Sequence, residues 1–405
     1  MLGRSTSYTA RGLTTPRPGV FSRRPRSLLA RAFARNSPLR HMDWLLVMVV
    51  LGLSAIGTLL VWSATAPSLI AVGADPRTYL KKQLLNVMIG LVLMVAVSLA
   101  DTRQLRTWAP FAYGATVLAL LAVLTPIGSD INGAHAWISL PGGFQVEPSE
   151  FAKVALIVMT AMIFAGARGE RPGVRSLLIA LAAAAPLMGL VVIEPALGVA
   201  MVLVAVAATM IVLSGIRLGF IVALGGIVAV VIAAAGRLHL LKSYQLTRFT
   251  SFLHPSADLS GAGYNAAQAK IAVGSGGMFG QGLFHGQLIA GNFVPSQQTD
   301  FIFTVAGEEL GFVGTIVIVF LLGVVIIRAL RIAARADDLF GLLVASGIAM
   351  WFTFQSFVNI GMTIGIMPIT GLPLPFVSYG GSAVFADMIA IGLLQSVHRR
   401  HTMFD

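Results

Sequence analysis

The sequence predicts an all-α polytopic membrane protein, with about ten transmembrane helices and a large extracytoplasmic loop between the seventh and the eighth. Three observations carry this. Of 405 residues, 57% are hydrophobic and 11% charged, about half the charged share of a soluble domain, and the mean hydropathy is +0.86. Apolar runs of about twenty residues recur between Met42 and Val397, each long enough to cross a bilayer as a helix. One globular core cannot absorb so many, and in lipid only helices and closed barrels satisfy their own backbone. The net charge of +12 is gathered mostly in short flanks beside the apolar runs. There it acts as an orientation signal rather than as a nucleic-acid surface. Cysteine is absent, which excludes disulfides and thiolate chemistry.

In chain order, residues 1–42 come first, with nine arginines, many Ser, Thr and Pro, and no acid. Such a segment buries too little surface to fold and reads as a disordered basic cytoplasmic tail. The apolar run from Asp43 is too long and too far along the chain for a cleaved signal, so it stays as the first span. The spans are expected at 43–65, 83–101, 109–126, 150–167, 175–194, 196–214, 217–236, 301–328, 339–362 and 375–397, making 43–400 one transmembrane domain. With the amino end inside, the inner segments carry 20 basic residues and the outer ones 7, while Lys153 falls within a span. Positive-inside is satisfied, and both termini are then cytoplasmic.

Two outer connections stand out. Residues 127–149 are rich in Gly, Pro and polar side chains, and 237–300 form the large loop, far longer than a usual inter-helix turn. The large loop interleaves apolar and aromatic residues such as Phe249, Phe252, Tyr264, Ile271 and Phe284, which predicts ordered, short interfacial or re-entrant helices. Function is therefore expected on the outer face. Within this loop Gly274–Gly280 reads as a flexible loop, since no Gly-Lys-Ser/Thr follows to make it a nucleotide cradle.

Sixteen acids are few enough to place individually. Asp75, Asp130, Glu147, Glu150, Glu194, Asp258 and Asp300 cluster at or beyond the outer ends of spans. Glu308, Glu309 and Asp387 fall inside spans, where ionisable groups are costly and face a bundle interior or a wet cavity. Asp300 opens an apolar helix directly after the large loop. It reads either as a carboxylate complementing the helix amino terminus or as a base at the mouth of a cavity. Lys153 lies three residues after Glu150, so the two form a structural ion pair or Lys153 holds an anionic phosphate. Trp137 suits a membrane-interface belt or a sugar-stacking platform. For Asp387 the sequence offers no physical account.

Taken together in order, Asn132-Gly133-Ala134-His135-Ala136-Trp137, Glu147-Pro148-Ser149-Glu150-Phe151-Ala152-Lys153, Tyr264 through Gly282, and Thr299-Asp300-Phe301-Ile302-Phe303 with Glu308-Glu309-Leu310-Gly311 form a pattern. Asn359-Ile360-Gly361, Pro368 and Leu374 through Ser382 complete it. The chain resembles the SEDS family (shape, elongation, division, sporulation) of bacterial peptidoglycan glycosyltransferases over roughly residues 40–400. Thr370-Gly371-Leu372-Pro373-Leu374-Pro375 is more similar to the elongation (RodA) branch than to the division (FtsW) branch. The resemblance implies a multi-pass protein of the bacterial cytoplasmic membrane that polymerises lipid II on the outer face, beside a class B penicillin-binding transpeptidase. It makes Asp300 the catalytic residue and places Trp137, Glu147, Glu150 and Lys153 at the outer cavity. Within the same motifs Tyr264, Gln268, Lys270, Thr299 and Ser378 are expected to bind substrate. The departing pyrophosphate needs charge neutralisation, for which Arg248, Lys242, Lys270, Lys153 or a divalent cation (magnesium or manganese) are the alternatives. Three departures are plain: Gln298 stands where the family often has His, His135-Ala136 where basic residues usually follow Asn-Gly-Ala, and Ala196 where Asp usually follows Glu-Pro. The rival reading is a flippase for the lipid-linked precursor, and a non-catalytic scaffold is a third.

Overall fold

The computed structural model describes residues 41–131, 134–140, 144–167, 172–194, 196–226 and 261–404. Eleven labelled helices and one small sheet follow. They are α1 (Trp44–Ala71), α2 (Thr78–Leu99), α3 (Thr102–Val123), β1 (Gly128–Ile131), β2 (Ala134–Leu140) and β3 (Phe144–Val146). Then come α4 (Pro148–Ala165), α5 (Val174–Ile193), α6 (Leu197–Leu213), α7 (Ala262–Ser275), α8 (Gln287–Ala290), α9 (Ile302–Ala334), α10 (Leu339–Ile364) and α11 (Gly381–Phe404). Seven of them, α1, α2, α4, α5, α9, α10 and α11, are long and apolar enough to cross a membrane. The seventh expected span begins as helix at residues 218–226, and its remainder lies outside the described residues, as does the basic tail up to residue 40.

Local chemistry sets the helix ends. The Asp43 carboxylate accepts the Leu46 N–H at the start of α1, and Asp338 accepts Gly341 N–H at the start of α10, each satisfying an orphan amide of a first turn. Proline opens α4 at Pro148, where its missing N–H costs nothing. Helices α4, α10 and α11 are mostly buried, whereas α2 and α5 turn many apolar side chains outward, as lipid-facing helices do.

Two features depart from the sequence reading. Residues 128–146, read from the sequence only as part of a connection rich in Gly, Pro and polar side chains, contain an antiparallel sheet of order β1-β2-β3 with a bulge at Ser129/Asp130. It packs over α3 and α4 and touches the start of α11. The glycine-rich stretch after α7 is not a free loop. Helix α9 kinks at Gly311, whose φ of 68° and ψ of −165° leave the helical region. Residues 277–282 dock there: Phe312 and Val313 N–H donate to the Gly277 and Met278 carbonyls at 2.9 and 3.1 Å, and Gln281 and Gly282 N–H to those of Glu308 and Glu309 at 2.9 and 3.0 Å. A broken helix at membrane depth requires such replacement bonds. The Glu308 carboxylate caps α8 through Leu288 and Ile289 N–H, and Glu309 accepts Ser63 Oγ–H at 2.6 Å. Helices α7 and α8 are the short ordered helices expected in the large loop; the acidic pair ties α8 and Phe284 to α9 and α1, while α7 packs along α9.

Candidate active site

Residues 296–300 form the turn that delivers the chain from the large loop into α9. Four consecutive residues of it are held by distant partners. The Gln297 amide donates to the Ala64 and Ile289 carbonyls at 2.8 and 3.2 Å. The Gln298 carbonyl accepts Tyr379 N–H at 2.9 Å, the Thr299 carbonyl accepts Ser378 Oγ–H at 2.6 Å, and the Asp300 carbonyl accepts the Asn359 amide at 2.8 Å. Backbone and side-chain groups of α1, α10 and the segment before α11 therefore fix one short turn. Its product is a half-buried Asp300 carboxylate. Gly371, at φ +74°, stands against it: a Cβ there would lie 3.5 Å from Asp300 Oδ2.

The segment 370–380 is itself stitched to α10 from one helical face. Gln355 donates to the Pro373 carbonyl at 2.8 Å and Asn359 to the Leu372 carbonyl at 2.6 Å. These residues are four apart and so lie above one another. Gln355 also accepts Trp351 Nε1–H at 2.7 Å and Lys153 Nζ–H at 2.9 Å. Lys153 is fully buried, 2.7 Å from Glu150 and 4.7 Å from the centre of the Trp351 ring. An anion bound by Lys153 would have to compete with these three partners.

Glu147 precedes α4 and joins it to α11, its backbone N–H donating to Ser382 Oγ at 2.8 Å. Its carboxylate accepts Ser149 Oγ–H at 2.7 Å. Loss of water, and then the Glu150 charge, hold its carboxyl well above the usual range, with Ser149 and Lys153 pulling the other way. The Asp300 and Glu194 charges reach Glu147 as well, so three acids surround one region. Glu194 is buried, and neither carboxylate oxygen finds a hydrogen-bond partner among the described residues.

The structure thus ties Thr299, next to Asp300, to the Ser378 hydroxyl, which is buried and used by the protein on both sides rather than open to substrate as expected, and the charges of Asp300, Glu150 and Lys153 all reach Glu147. Trp137 is half-buried on β2. Tyr264, Gln268 and Lys270 lie on α7, whose Ala269 and Ala272 pack on Phe301 next to Asp300. Lys270 covers Gly365 at the carboxy end of α10, where a cation complements the helix dipole. Lys242 and Arg248 lie outside the described residues. Sequence reasoning did not single out Trp351 or Gln355, and it quoted Asn359 only within a motif. The 351, 355, 359 spacing in an otherwise apolar span was the available signal.

The model of the FtsW/RodA/SpoVE family, described as cell cycle protein, matches residues 43–403. The probable peptidoglycan glycosyltransferase FtsW of Trichlorobacter lovleyi is 36% identical over 368 residues, covering 89% of this chain and 93% of the relative. The peptidoglycan glycosyltransferase MrdB of Escherichia coli K12 is 35% identical over 366 residues, covering 90% and 95%. A solved chain from work on structural coordination of polymerization and crosslinking by a peptidoglycan synthase complex superposes with a TM-score of 0.72 at 30% identity, covering 89% of this chain and 98% of its own length.

Proposed function

The chain belongs to the FtsW/RodA/SpoVE family, and from that premise we propose that it is a peptidoglycan glycosyltransferase that polymerises lipid II at the outer face of a bacterial cytoplasmic membrane, with Asp300 as general base. The observation that carries the reading is the clamped turn: the segment before α11 and helix α10 hold the Gln298, Thr299 and Asp300 carbonyls, and the Gln297 amide ties the same turn to α1. A helix-start carboxylate with a merely local role needs no such fixing, whereas a catalytic group does.

In the reaction, the 4-hydroxyl oxygen of one lipid-linked disaccharide attacks the anomeric carbon of the growing chain. Asp300 takes the hydroxyl proton, the bond to polyprenyl pyrophosphate breaks, and the anomeric centre inverts. A positioned base contributes about 10²–10⁴-fold. The leaving pyrophosphate is already a stable anion and needs a cation rather than a proton. No group of three or more His, Asp or Glu suited to a metal occurs among the described residues. A magnesium or manganese ion shared with phosphates needs only one or two protein carboxylates, and the unpartnered oxygens of Glu194, with Glu147 beside it, fit that demand. Such an ion would supply charge neutralisation at the pyrophosphate.

The proposal extends to three finer points. Thr370 through Pro375 favours the elongation branch, a class B penicillin-binding transpeptidase is the membrane partner, and both termini face the cytoplasm. Because the chain has no cysteine, orientation is directly testable. Asp75→Cys should label from outside intact cells and Thr402→Cys should not. For the activity, purified chain with its transpeptidase should convert labelled lipid II into glycan polymer, and Asp300→Ala should abolish this. Polymer at the wild-type rate from Asp300→Ala would end the assignment. Transfer of lipid II across vesicles without any polymer would establish the flippase.

A further inference from the structure

Asp387 is a buried acid, 2% exposed, in the second turn of α11, and the reaction above makes no use of it. Its Oδ2 accepts the backbone N–H of Phe376 at 3.0 Å. Phe376 has a φ of +63°, a left-handed conformation that costs a bulky residue about 1–2 kcal/mol. The four non-glycine residues in this region of φ among those described are Phe284, Asn292, Ser296 and Phe376. Three lie in the segment that enters the Asp300 turn, and the fourth lies in the segment that clamps it.

The strained turn leads directly to the clamp. Within it Val377 and Ser378 N–H donate to the Leu374 carbonyl at 3.2 and 3.0 Å, and Leu374 N–H donates to Ser378 Oγ at 2.7 Å. That last bond orients the hydroxyl so that its own proton points to the Thr299 carbonyl, 2.6 Å away. Tyr379 N–H follows onto the Gln298 carbonyl. The Phe376 ring is anchored edge-on to Phe352, with centroids 5.1 Å apart. A chain of contacts therefore runs from Asp387 through Phe376, Ser378 and Thr299 to Asp300.

We propose that Asp387 is a positioning residue: by accepting the Phe376 N–H it locks the left-handed turn that presents Ser378 and Tyr379 to the Asp300 loop, and so fixes the catalytic carboxylate. This rests on the reading of Asp300 as the base. The competing role for a buried acid here is counter-ion to Lys153, whose charge reaches Asp387. Lys153 is, however, already paired with Glu150 at 2.7 Å. The two roles separate chemically, because an amide accepts the Phe376 N–H as well as a carboxylate does but carries no charge.

The test is steady-state polymerisation of lipid II by full-length chain with its transpeptidase, for wild type, Asp387→Leu, Asp387→Asn, Ser378→Ala and the Asp387→Leu/Ser378→Ala double variant. Asp387→Leu should lower kcat about tenfold or more, because misplacing a reacting group by about 1 Å is costly, with KM for lipid II within about threefold. Asp387→Asn should recover kcat to within about threefold of wild type. The double variant should be little worse than the poorer single variant, since both break the same linkage. Asp387→Asn as inactive as Asp387→Leu, or multiplicative losses in the double variant, would overturn the proposal. If Asp387→Leu does not fold, Asp387→Ala takes its place in the series, and kcat of folded Asp387→Ala equal to wild type would overturn the proposal. Full activity in Asp300→Asn, run alongside, would sink the base assignment. Full activity in Asp387→Leu with an inactive Asp300→Asn would sink only this one.

Discussion

At the end of the bundle where α1 begins and α11 finishes, acids meet bases. Asp43 pairs with Arg328 at 2.5 Å, Asp338 with Arg400 at 2.7 Å, and Asp337 lies 2.9 Å from His401. Gln395 closes the set by bonding both backbone groups of Asp43. The opposite end collects Glu147, Glu150, Glu194, Asp300, Glu308 and Glu309, with Asp387 deeper in α11. Within this set Lys153 pairs with Glu150, whereas Glu194, one oxygen of Glu309 and one of Asp387 have no hydrogen-bond partner among the described residues. The first end neutralises itself and holds helices together. The second keeps an excess of buried acids over bases, a cost that folding alone does not explain. Excess acid beside a rigidly held carboxylate is what a site needs if it is to receive a cation and a sugar hydroxyl.

The largest test of this contrast is Lys153→Met. It strands Glu150 in the core and should cost about 3–5 kcal/mol, as breaking a buried pair does. Thermal unfolding in detergent should show the loss, and Glu150→Leu added to it should restore much of the stability. Arg328→Met, at the self-neutralised end, should cost less, about 1.5–3 kcal/mol, because the guanidinium is a quarter exposed. Activity per folded molecule should stay unchanged there. Gly371→Ala places a side chain in the left-handed region against Asp300, at about 1–2 kcal/mol, and should lower polymerisation several-fold.

Glu147 gives a pH signature. Folding raises its carboxyl, so the folded chain keeps a proton that the unfolded chain loses above about pH 4.3. Stability then falls as pH rises from that value until the folded group ionises too. The melting temperature of Glu147→Gln should decline less between pH 5 and 8 than that of the wild type, and equal slopes would show that folding does not raise the Glu147 carboxyl. Smallest of all, Lys81→Ala breaks the exposed pair with Asp75 and should leave the melting temperature unmoved.

Much of the contrast was legible in the chain. Recurrent apolar runs gave the all-helical membrane class, and seven described helices are long and apolar enough to be spans; the acids at 147, 194 and 300, far apart in the chain, lie close enough for their charges to reach one another. Asp300 is conspicuous in the sequence because it opens an apolar helix directly after the large loop, although that position alone also suits a helix-start carboxylate. What the sequence hid is long-range. Gln355 and Trp351 lie about 200 residues from the lysine they surround, and Asn359 and Ser378 fix Asp300 through carbonyls, which leave no trace in residue type. The sheet at 128–146 has strands of three to seven residues, too short to show a period of two. Gly311 reads as an ordinary membrane-helix glycine until residues 277–282 are found bonded into its kink.

The most direct measurement compares one acid from each end: lipid II polymerisation and lipid II binding by Asp300→Asn and Asp43→Asn, each with the transpeptidase and each confirmed folded. The account predicts at least a hundredfold loss of polymerisation for Asp300→Asn with binding retained, and near wild-type turnover for folded Asp43→Asn. Equal turnover of the two variants, with Asp300→Asn close to wild type, would contradict it.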